Sequence, residues 1–297
     1  MKKFLKRTSL FLVTAAMTVS APLMAWALEH DIVILHTNDI HCGINDNIGF
    51  AGLAQIKKDA LARTPNVALV DAGDAIQGAP IGKLSRGLAV VDIMNYLGYD
   101  FCIPGNHEFD YGMDRFKELV PLQRAGYYCA NFVYAGNNKQ VLPGYKIMQY
   151  EDTKVAFVGA STPESLTTST PTFFQNEKGK YIYSFCEDKT GNKLYKQLQK
   201  NVDKARKDGA DYVFIVGHLG MDGTTPQWSS ESVAQNTQGV DAVIDGHSHE
   251  RFTRMVKNKV GKDVLLAQTG TKLKTVGELV ISPDGKLKSR LITESNG

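Results

Sequence analysis

The sequence predicts an α/β fold with some antiparallel strand pairing near its end. Short apolar runs alternate with segments whose apolar residues have helical spacing, which is typical of a sheet with helices on both faces. Three strand-like runs then follow one another after residue 250, which indicates antiparallel pairing. A third observation concerns function, because side chains that can bind metals follow five of the predicted strands.

The first half of the chain is predicted to alternate strands with helices. Apolar runs predict strands at residues 31–35, 67–70, 100–103 and 127–130. Helical spacing of apolar residues predicts helices at 50–63, 90–97 and 114–124. The 297 residues suffice for one large α/β domain or two small ones.

The second half is predicted to be richer in strands. Residues 145–150 and 154–159 form a pair of strands around Glu151-Asp152, and the Ser/Thr-rich stretch 161–170 is a loop. A long helix with a polar face is expected at 188–207. The remaining strands are expected at 212–216, 240–244, 252–256, 264–267 and 276–281. Residues 282–285 form a turn near the end of the chain.

Residues 1–27 have the pattern of a secretory signal peptide. Four basic residues precede an apolar run at 10–19, and Ala25-Trp26-Ala27 provides a cleavage site near Ala27. The alternative is a transmembrane anchor, but the run is short and Thr and Ser interrupt it. No cysteine follows the run, so a lipoprotein is not expected. The mature protein, residues 28–297, is therefore expected in the periplasm or outside the cell, without a stable membrane anchor.

The charge of the chain comes from this N-terminal segment. Residues 1–27 carry four basic side chains and no acidic one, so the formal charge goes from +3 to −1 without them. The mature part has no basic stripe, and we therefore expect no nucleic-acid partner.

The four cysteines do not predict a disulfide pattern. Export would permit disulfides, but the spacing favours none of the three possible pairings. Cys102 and Cys129 lie in apolar runs and are expected to be buried as small hydrophobic residues. Cys42 adjoins a candidate metal ligand but has no thiolate partner at useful spacing, so we expect no role for it in metal binding.

Residues with metal-binding side chains follow five predicted strands. They are Asp39 and His41, Asp74, Asn106 and His107, His218, and His247 and His249. Loops at the carboxyl ends of strands are where α/β sheets place ligands. In an extended segment, D-x-H and H-x-H spacing puts both side chains on one side. Imidazole and carboxylate suit zinc, manganese or iron, and two such ions can promote in-line displacement at phosphorus.

The motifs resemble those of the calcineurin-like metallophosphoesterases, and more closely the catalytic domain of the bacterial 5′-nucleotidase/UDP-sugar hydrolase family. The matching motifs are His36-Thr37-Asn38-Asp39-x-His41, Gly73-Asp74, Gly105-Asn106-His107-Glu108-Phe109-Asp110, Gly217-His218 and Gly246-His247-Ser248-His249. They occur in the family's order between residues 31 and about 281. The resemblance implies a four-layer sandwich of two mixed β-sheets flanked by helices.

The resemblance also implies a role for each matched residue. One metal would be held by Asp39, His41 and His249, the other by Asn106, His218 and His247, and Asp74 would bridge them. A hydroxide between the metals would attack phosphorus. His107, positioned by Asp110, would stabilise the transition state or protonate the leaving oxygen. Some relatives have Gln or Asn at the position of His249.

The sequence departs from the family in one respect. Typical members carry a second domain of some 200 residues that binds the nucleoside, and this sequence ends before it. A stand-alone phosphatase, a truncated gene and a separate partner chain that carries the C-terminal domain would each explain this. The substrate-binding residues therefore stay unknown. Candidates are the loop at 220–228, with Trp228, and the Thr/Ser loop after Gly159.

The leading hypothesis is an exported two-metal phosphoric ester hydrolase that converts nucleoside monophosphates to nucleoside and phosphate. The alternative enzymes are a 2′,3′-cyclic-nucleotide phosphodiesterase and a UDP-sugar pyrophosphatase, because the same metals serve monoesters and diesters. A metal- or nucleotide-binding module that needs a partner domain for turnover is less favoured, because a binder has no use for the His107/Asp110 pair. A purely structural envelope protein is a third class of hypothesis. It predicts that the substitution Asp74→Asn leaves the metal content of the protein unchanged, whereas the ligand assignment predicts loss of metal.

Overall fold

The computed structural model of the chain describes residues 28–221 and 224–293. The strands in this part, in chain order, are β1 (Ile32–Thr37), β2 (Val67–Asp71), β3 (Phe101–Cys102), β4 (Val133–Tyr134), β5 (Tyr145–Tyr150), β6 (Thr153–Ser161), β7 (Tyr183–Ser184), β8 (Tyr212–His218), β9 (Ala242–Asp245), β10 (Arg251–Lys257), β11 (Asp263–Thr269), β12 (Thr275–Ile281) and β13 (Leu287–Thr293). The α-helices are α1 (Gly49–Arg63), α2 (Pro80–Ser85), α3 (Leu88–Leu97), α4 (Met113–Leu119), α5 (Ser165–Thr168), α6 (Asn192–Lys207) and α7 (Ser230–Asn236). Short 3₁₀ turns occur at His107–Phe109, Val120–Leu122, Pro171–Phe174 and Pro226–Trp228.

Two large mixed sheets organise the described residues. The first has the order β13-β12-β1-β2-β3, and the second has the order β10-β11-β9-β8-β6-β5. In the first, β1, β2 and β3 run parallel, whereas β12 and β13 pair antiparallel. In the second, β6, β8, β9 and β11 run parallel between two antiparallel edge strands. Strands β4 and β7 form a small separate sheet.

The two large sheets pack face to face and carry helices on their outer faces. Ile32 and Ile34 of β1 lie in the central layer with Phe157 of β6 and Phe214 of β8. The alternate side chains of β1 point the other way, where Val33 packs in the cluster that also contains residues of α1, α3 and α4. Helices α6 and α7 cover the second sheet in the same way. The four-layer sandwich expected from the family resemblance is confirmed.

Most predicted elements are confirmed within a few residues, but the strand predicted at 127–130 is wrong. Its backbone forms a single bridge, from Tyr127 to Cys102. The next hydrogen bonds go to different partners, because the N–H of Tyr128 donates to Cys102 and that of Ala130 donates to Gly159. The segment therefore runs from β3 in the first sheet to β6 in the second sheet instead of extending either sheet as a strand.

Three further differences have local causes. The helix predicted at 114–124 ends at Leu119, where the chain enters a 3₁₀ turn that contains Pro121. The loop predicted at 161–170 contains the single helical turn α5. The short helix α2 and the edge strand β13 have no counterpart among the predicted elements. Strand β13 includes exposed polar residues such as Lys288 and Arg290, so its sequence lacks a clear apolar run.

The expectations for the N-terminus lie outside the described residues, since they concern residues 1–27. In the part that the structure describes, no helix combines the length and the apolar character needed to cross a bilayer. All four cysteines are free, and Cys102 and Cys129 are fully buried, as predicted.

Candidate metal centre

The predicted ligand residues meet at the carboxyl ends of parallel strands from both sheets. The first sheet contributes Asp39 and His41 after β1, Asp74 after β2, and Asn106 after β3. The second contributes His218 at the end of β8, and His247 and His249 after β9. Six of these residues form two groups in which the ligand atoms lie within 4.8 Å of one another.

The first group consists of Asp39, His41 and His249. The Nε2 atoms of the two imidazoles lie 3.2 Å apart. Asp39 Oδ1 lies 3.2 Å from Nε2 of His249 and 3.8 Å from Nε2 of His41. Cys42 belongs to neither group, and burial raises the pKa of its thiol to about 12.

The second group consists of Asp74, His218 and His247, and Asp74 connects it to the first. Asp74 Oδ2 lies 3.0 Å from His218 Nε2 and 3.9 Å from His41 Nε2, so one carboxylate oxygen faces both groups. Burial alone would raise the pKa of Asp74, but the neighbouring His218 imidazole lowers it. Burial likewise opposes a charge on His218, yet Asp74 and Asp39 outweigh it and raise the pKa of His218.

Three buried polar atoms at this site have no hydrogen-bond partner among the described residues. They are Asp39 Oδ1, Asn106 Oδ1 and His218 Nε2, whose 3.0 Å approach to Asp74 lacks hydrogen-bond alignment. Other polar atoms of these residues are satisfied: Asp39 Oδ2 accepts from the N–H of His247, and His218 Nδ1 donates to the carbonyl of Ala72. Unpaired buried polar atoms are costly. A divalent cation in each group would satisfy Asp39 Oδ1 and His218 Nε2, so the residues fit two cations.

The backbone is left-handed at five of the candidate ligand residues. These are Asp39 (φ 51°), His41 (φ 47°), Asp74 (φ 59°), His247 (φ 82°) and His249 (φ 58°). Such conformations are unfavourable and concentrate at functional sites. The prediction that the D-x-H and H-x-H segments are extended is therefore wrong. Indeed, His247 and His249 belong to different groups instead of sharing one side of a strand.

His107 and Asp110 form a pair beside the first group. His107 Nδ1 lies 2.6 Å from Asp110 Oδ2, and this contact outweighs partial burial and raises the pKa of His107 to about 9. The second oxygen of Asp110 accepts from Ser169. The N–H of His107 donates to Asp74 Oδ1, and its ring lies 5.4 Å from that of His41. About a third of the His107 side chain is exposed.

Glu108 holds two of the ligand loops together, a role that the sequence motifs do not predict. Its buried carboxylate accepts from the N–H groups of Gly105, Asp74 and Ala75, at 2.6, 2.7 and 2.8 Å. Burial raises the pKa of Glu108 to about 7. The sequence offers one signal, because Glu108 lies within the motif that begins at Gly105.

Close backbone approach requires glycine at two positions in these loops. A Cβ atom at Gly105 would lie 2.2 Å from Asp74 Oδ1, and one at Gly246 would lie 2.9 Å from Asp39 Oδ2. The glycines of the predicted motifs therefore make room for the carboxylates.

Trp228 ends the short 3₁₀ turn Pro226–Trp228. Its ring packs against the cluster formed by α6, α7 and the second sheet, and its Nε1 donates to the carbonyl of Asp188. The ring of Trp228, a substrate-binding candidate from the sequence, is thus engaged in packing against the core.

The comparisons with known proteins agree with this geometry. Residues 32–251 match the family described as Calcineurin-like phosphoesterase. The chain belongs to this family. A snake venom 5′-nucleotidase from Gloydius brevicauda is 27% identical over 93% of the chain and 49% of its own length. A 2′,3′-cyclic-nucleotide 2′-phosphodiesterase/3′-nucleotidase from Haemophilus influenzae is 27% identical over 80% of the chain and 40% of its own length.

The fold of this calcineurin-like phosphoesterase is shared with a solved relative. The crystal structure of a 5′-nucleotidase precursor from Thermus thermophilus superposes with a TM-score of 0.74 at 25% identity. The match covers 89% of the chain and 54% of that protein. The chain thus spans about half the length of these relatives.

Proposed function

We propose that this calcineurin-like phosphoesterase is a metal-dependent phosphoric ester hydrolase that releases phosphate from nucleoside 5′-monophosphates. The observation that carries the proposal is the pair of ligand groups joined by Asp74, with His107 beside them. The names of its relatives, which include 5′-nucleotidases, support the choice of a nucleotide as the substrate.

Each group would hold one divalent cation. We assign Asp39, His41 and His249 to one cation, Asn106, His218 and His247 to the other, and Asp74 to both. When bound, zinc, manganese or iron ions would lower the pKa of water and offset the negative charge that develops on the phosphoryl group. The unpaired oxygen of Asn106 supports its inclusion.

His107 would act on the leaving oxygen of the ester. Its Nδ1 is engaged by Asp110, so Nε2 is the ring nitrogen that can donate a proton. Asp110 orients the ring and is itself held by Ser169. The partial exposure of His107 leaves room for a substrate to reach this nitrogen.

A cyclic-nucleotide phosphodiesterase is the second candidate. The name of the Haemophilus influenzae relative favours it. A UDP-sugar pyrophosphatase and a binding module that depends on a partner domain are further alternatives, since the same ligand groups would serve all three.

We further propose that residues 28–297 form the catalytic domain and that the protein is exported after cleavage near Ala27. The two large sheets together include strands from β1 to β13, which supports the first assignment. The basic and apolar pattern of residues 1–27 supports the second. N-terminal sequencing of protein recovered from the periplasm or the medium tests export, with Leu28 as the expected first residue.

The test is phosphate release by the purified protein with added zinc or manganese. Substrates would be AMP, UDP-glucose, 2′,3′-cyclic AMP and p-nitrophenyl phosphate, and His107→Ala and Asp74→Asn would serve as comparison variants. We expect turnover of AMP, a loss of roughly 10²- to 10⁴-fold in His107→Ala with metal retained, and loss of metal in Asp74→Asn. Turnover of diesters alone would refute the nucleotidase assignment. Metal binding without any turnover would favour a module that needs a partner.

A further inference from the structure

Glu164 connects a metal-ligand histidine to a separate loop. It follows strand β6, and its two carboxylate oxygens have different partners. Oε2 lies 3.0 Å from Nε2 of His247. Oε1 accepts from the backbone N–H of Thr225 at 2.7 Å and from its hydroxyl at 2.5 Å. The carboxylate therefore has hydrogen-bond partners on both sides, and 17% of the side chain is exposed.

The backbone around Glu164 is fixed by its own hydrogen bonds. The N–H of Glu164 donates to the hydroxyl of Thr162, and the N–H of Thr162 donates to the carbonyl of His218. The carbonyl of Glu164 accepts from Thr167 and Thr168 in the turn α5. The carboxylate is thus carried by a segment that is tied to the end of β8, where the second ligand group begins.

An imidazole binds a metal through one nitrogen, and the partner of its other nitrogen decides which one is free. His218 donates from Nδ1 to the carbonyl of Ala72, which leaves Nε2 for a cation. Nδ1 of His41 lies 3.2 Å from the carbonyl of Gln77, which likewise leaves Nε2 of His41 for a cation. His247 differs from both, because its outer partner is a carboxylate and it is the Nε2 atom that is engaged.

We propose that Glu164 is a positioning residue that holds His247 with its proton on Nε2, so that Nδ1 is the nitrogen available to a divalent cation. Thr225 holds the carboxylate in place from the other side. The inference rests on the metal site of the proposed function. Outer partners of this kind raise the basicity of a ligand imidazole, and their loss costs roughly 10- to 100-fold in metal affinity.

Glu164→Gln is the informative change because it keeps the shape of the side chain. A carboxylate accepts at both oxygens, whereas a glutamine amide accepts at one and donates at the other. The amide can therefore suit either His247 or the N–H of Thr225, but not both. Thr225→Val is the matched control, because it removes the hydroxyl and leaves the carboxylate, the backbone N–H and the contact with His247 in place.

The first measurement is a titration of the metal-free full-length protein with Co²⁺, followed by visible absorption. We expect Glu164→Gln to lower the affinity for one of two ions by roughly 10- to 100-fold, and Thr225→Val to change it by less than about 3-fold. Unchanged affinity for both ions in Glu164→Gln would overturn the inference. Equal losses in the two variants would also overturn it, since they would indicate only disturbance of the loop.

The second measurement is made on the wild type itself, and a variant serves only to assign one signal. Long-range ¹H–¹⁵N correlation spectra of the metal-free wild type report which nitrogen of each imidazole carries the proton, and His247→Ala identifies the signal of His247. We expect the Nε2–H tautomer, and the Nδ1–H tautomer would refute the inference. If the wild type binds two Co²⁺ ions but hydrolyses no phosphate ester, the proposed function fails while the Glu164 result stands.

Discussion

His36 provides a prediction whose magnitude follows from the structure. It lies in β1 between β2 and β12, is fully buried, and has no hydrogen-bond partner on either ring nitrogen among the described residues. Burial lowers the pKa of His36 from 6.5 to about 4. The folded protein therefore keeps this imidazole neutral at pH values where the unfolded chain protonates it.

The direction of the pH effect follows from this difference in proton uptake. Between pH 6.5 and 4 the unfolded state binds a proton at His36 that the folded state does not, so stability falls as the pH falls through this range. One pKa unit corresponds to about 1.4 kcal/mol. The lowered pKa of His36 therefore predicts that the unfolding free energy falls by about 3 kcal/mol, because of this residue alone, when the pH is lowered from about 7 to about 4.

The assay compares the wild type with His36→Leu, which cannot be protonated. Urea unfolding of both proteins would be followed at about pH 7 and about pH 4 with EDTA present, so that metal binding does not contribute. Other titrating groups affect both proteins alike and cancel in the comparison. On going from about pH 7 to about pH 4, the unfolding free energy of the wild type should fall by about 3 kcal/mol more than that of the variant. Equal losses would show that His36 is charged or hydrogen-bonded in the folded state, and the reasoning would be wrong.

Three further predictions concern packing and the candidate site. A Cβ atom at Gly277 would lie 1.9 Å from Nε2 of His36, so Gly277→Ala should lower the unfolding free energy by about 1–3 kcal/mol. The same substitution in a His36→Ala background should lower it by clearly less, and equal decreases in the two backgrounds would contradict the clash. Glu108→Gln leaves a buried backbone N–H without an acceptor, so it should lower the free energy of urea unfolding by about 2 kcal/mol and weaken metal binding in calorimetry. Wild-type values in both assays would argue against a role of Glu108 in holding the ligand loops. Asp110→Asn should lower kcat by roughly 10- to 100-fold with metal content kept, because Asp110 contacts His107 but belongs to neither ligand group; a parallel loss of metal would refute this.

The grouping of the candidate ligand residues could be predicted from the sequence because it depends on chain order and strand ends. Asp74 follows β2 and His218 ends β8, and loops at the carboxyl ends of strands are where α/β sheets place ligands. Residue type and position after a strand therefore suffice to identify such side chains. The same reasoning fails for local backbone conformation, since nothing in the Asp39-x-His41 pattern indicates that both residues have positive φ.

The residues that support the ligands could not be identified in this way. Glu164 and His247 are 83 positions apart, and their contact depends on how two loops from different strands lie against each other. Glu108 is easier to single out from the sequence because it shares a motif with Asn106. Its hydrogen-bond partners nevertheless include Asp74, which follows another strand. A motif marks the candidate ligand residues, whereas the hydrogen-bond partners behind them depend on tertiary packing.

The position of the ligand groups between the two sheets has a consequence for the fold. In the first group Asp39 and His41 follow a strand of the first sheet, and His249 follows a strand of the second. The second group is likewise divided, with Asp74 from the first sheet and His218 from the second. Cation binding would therefore depend on the apolar layer that fixes the distance between the sheets. Because folded-state ligation contributes to folding free energy, the ions would in turn stabilise that packing at the edge where buried carboxylates face each other.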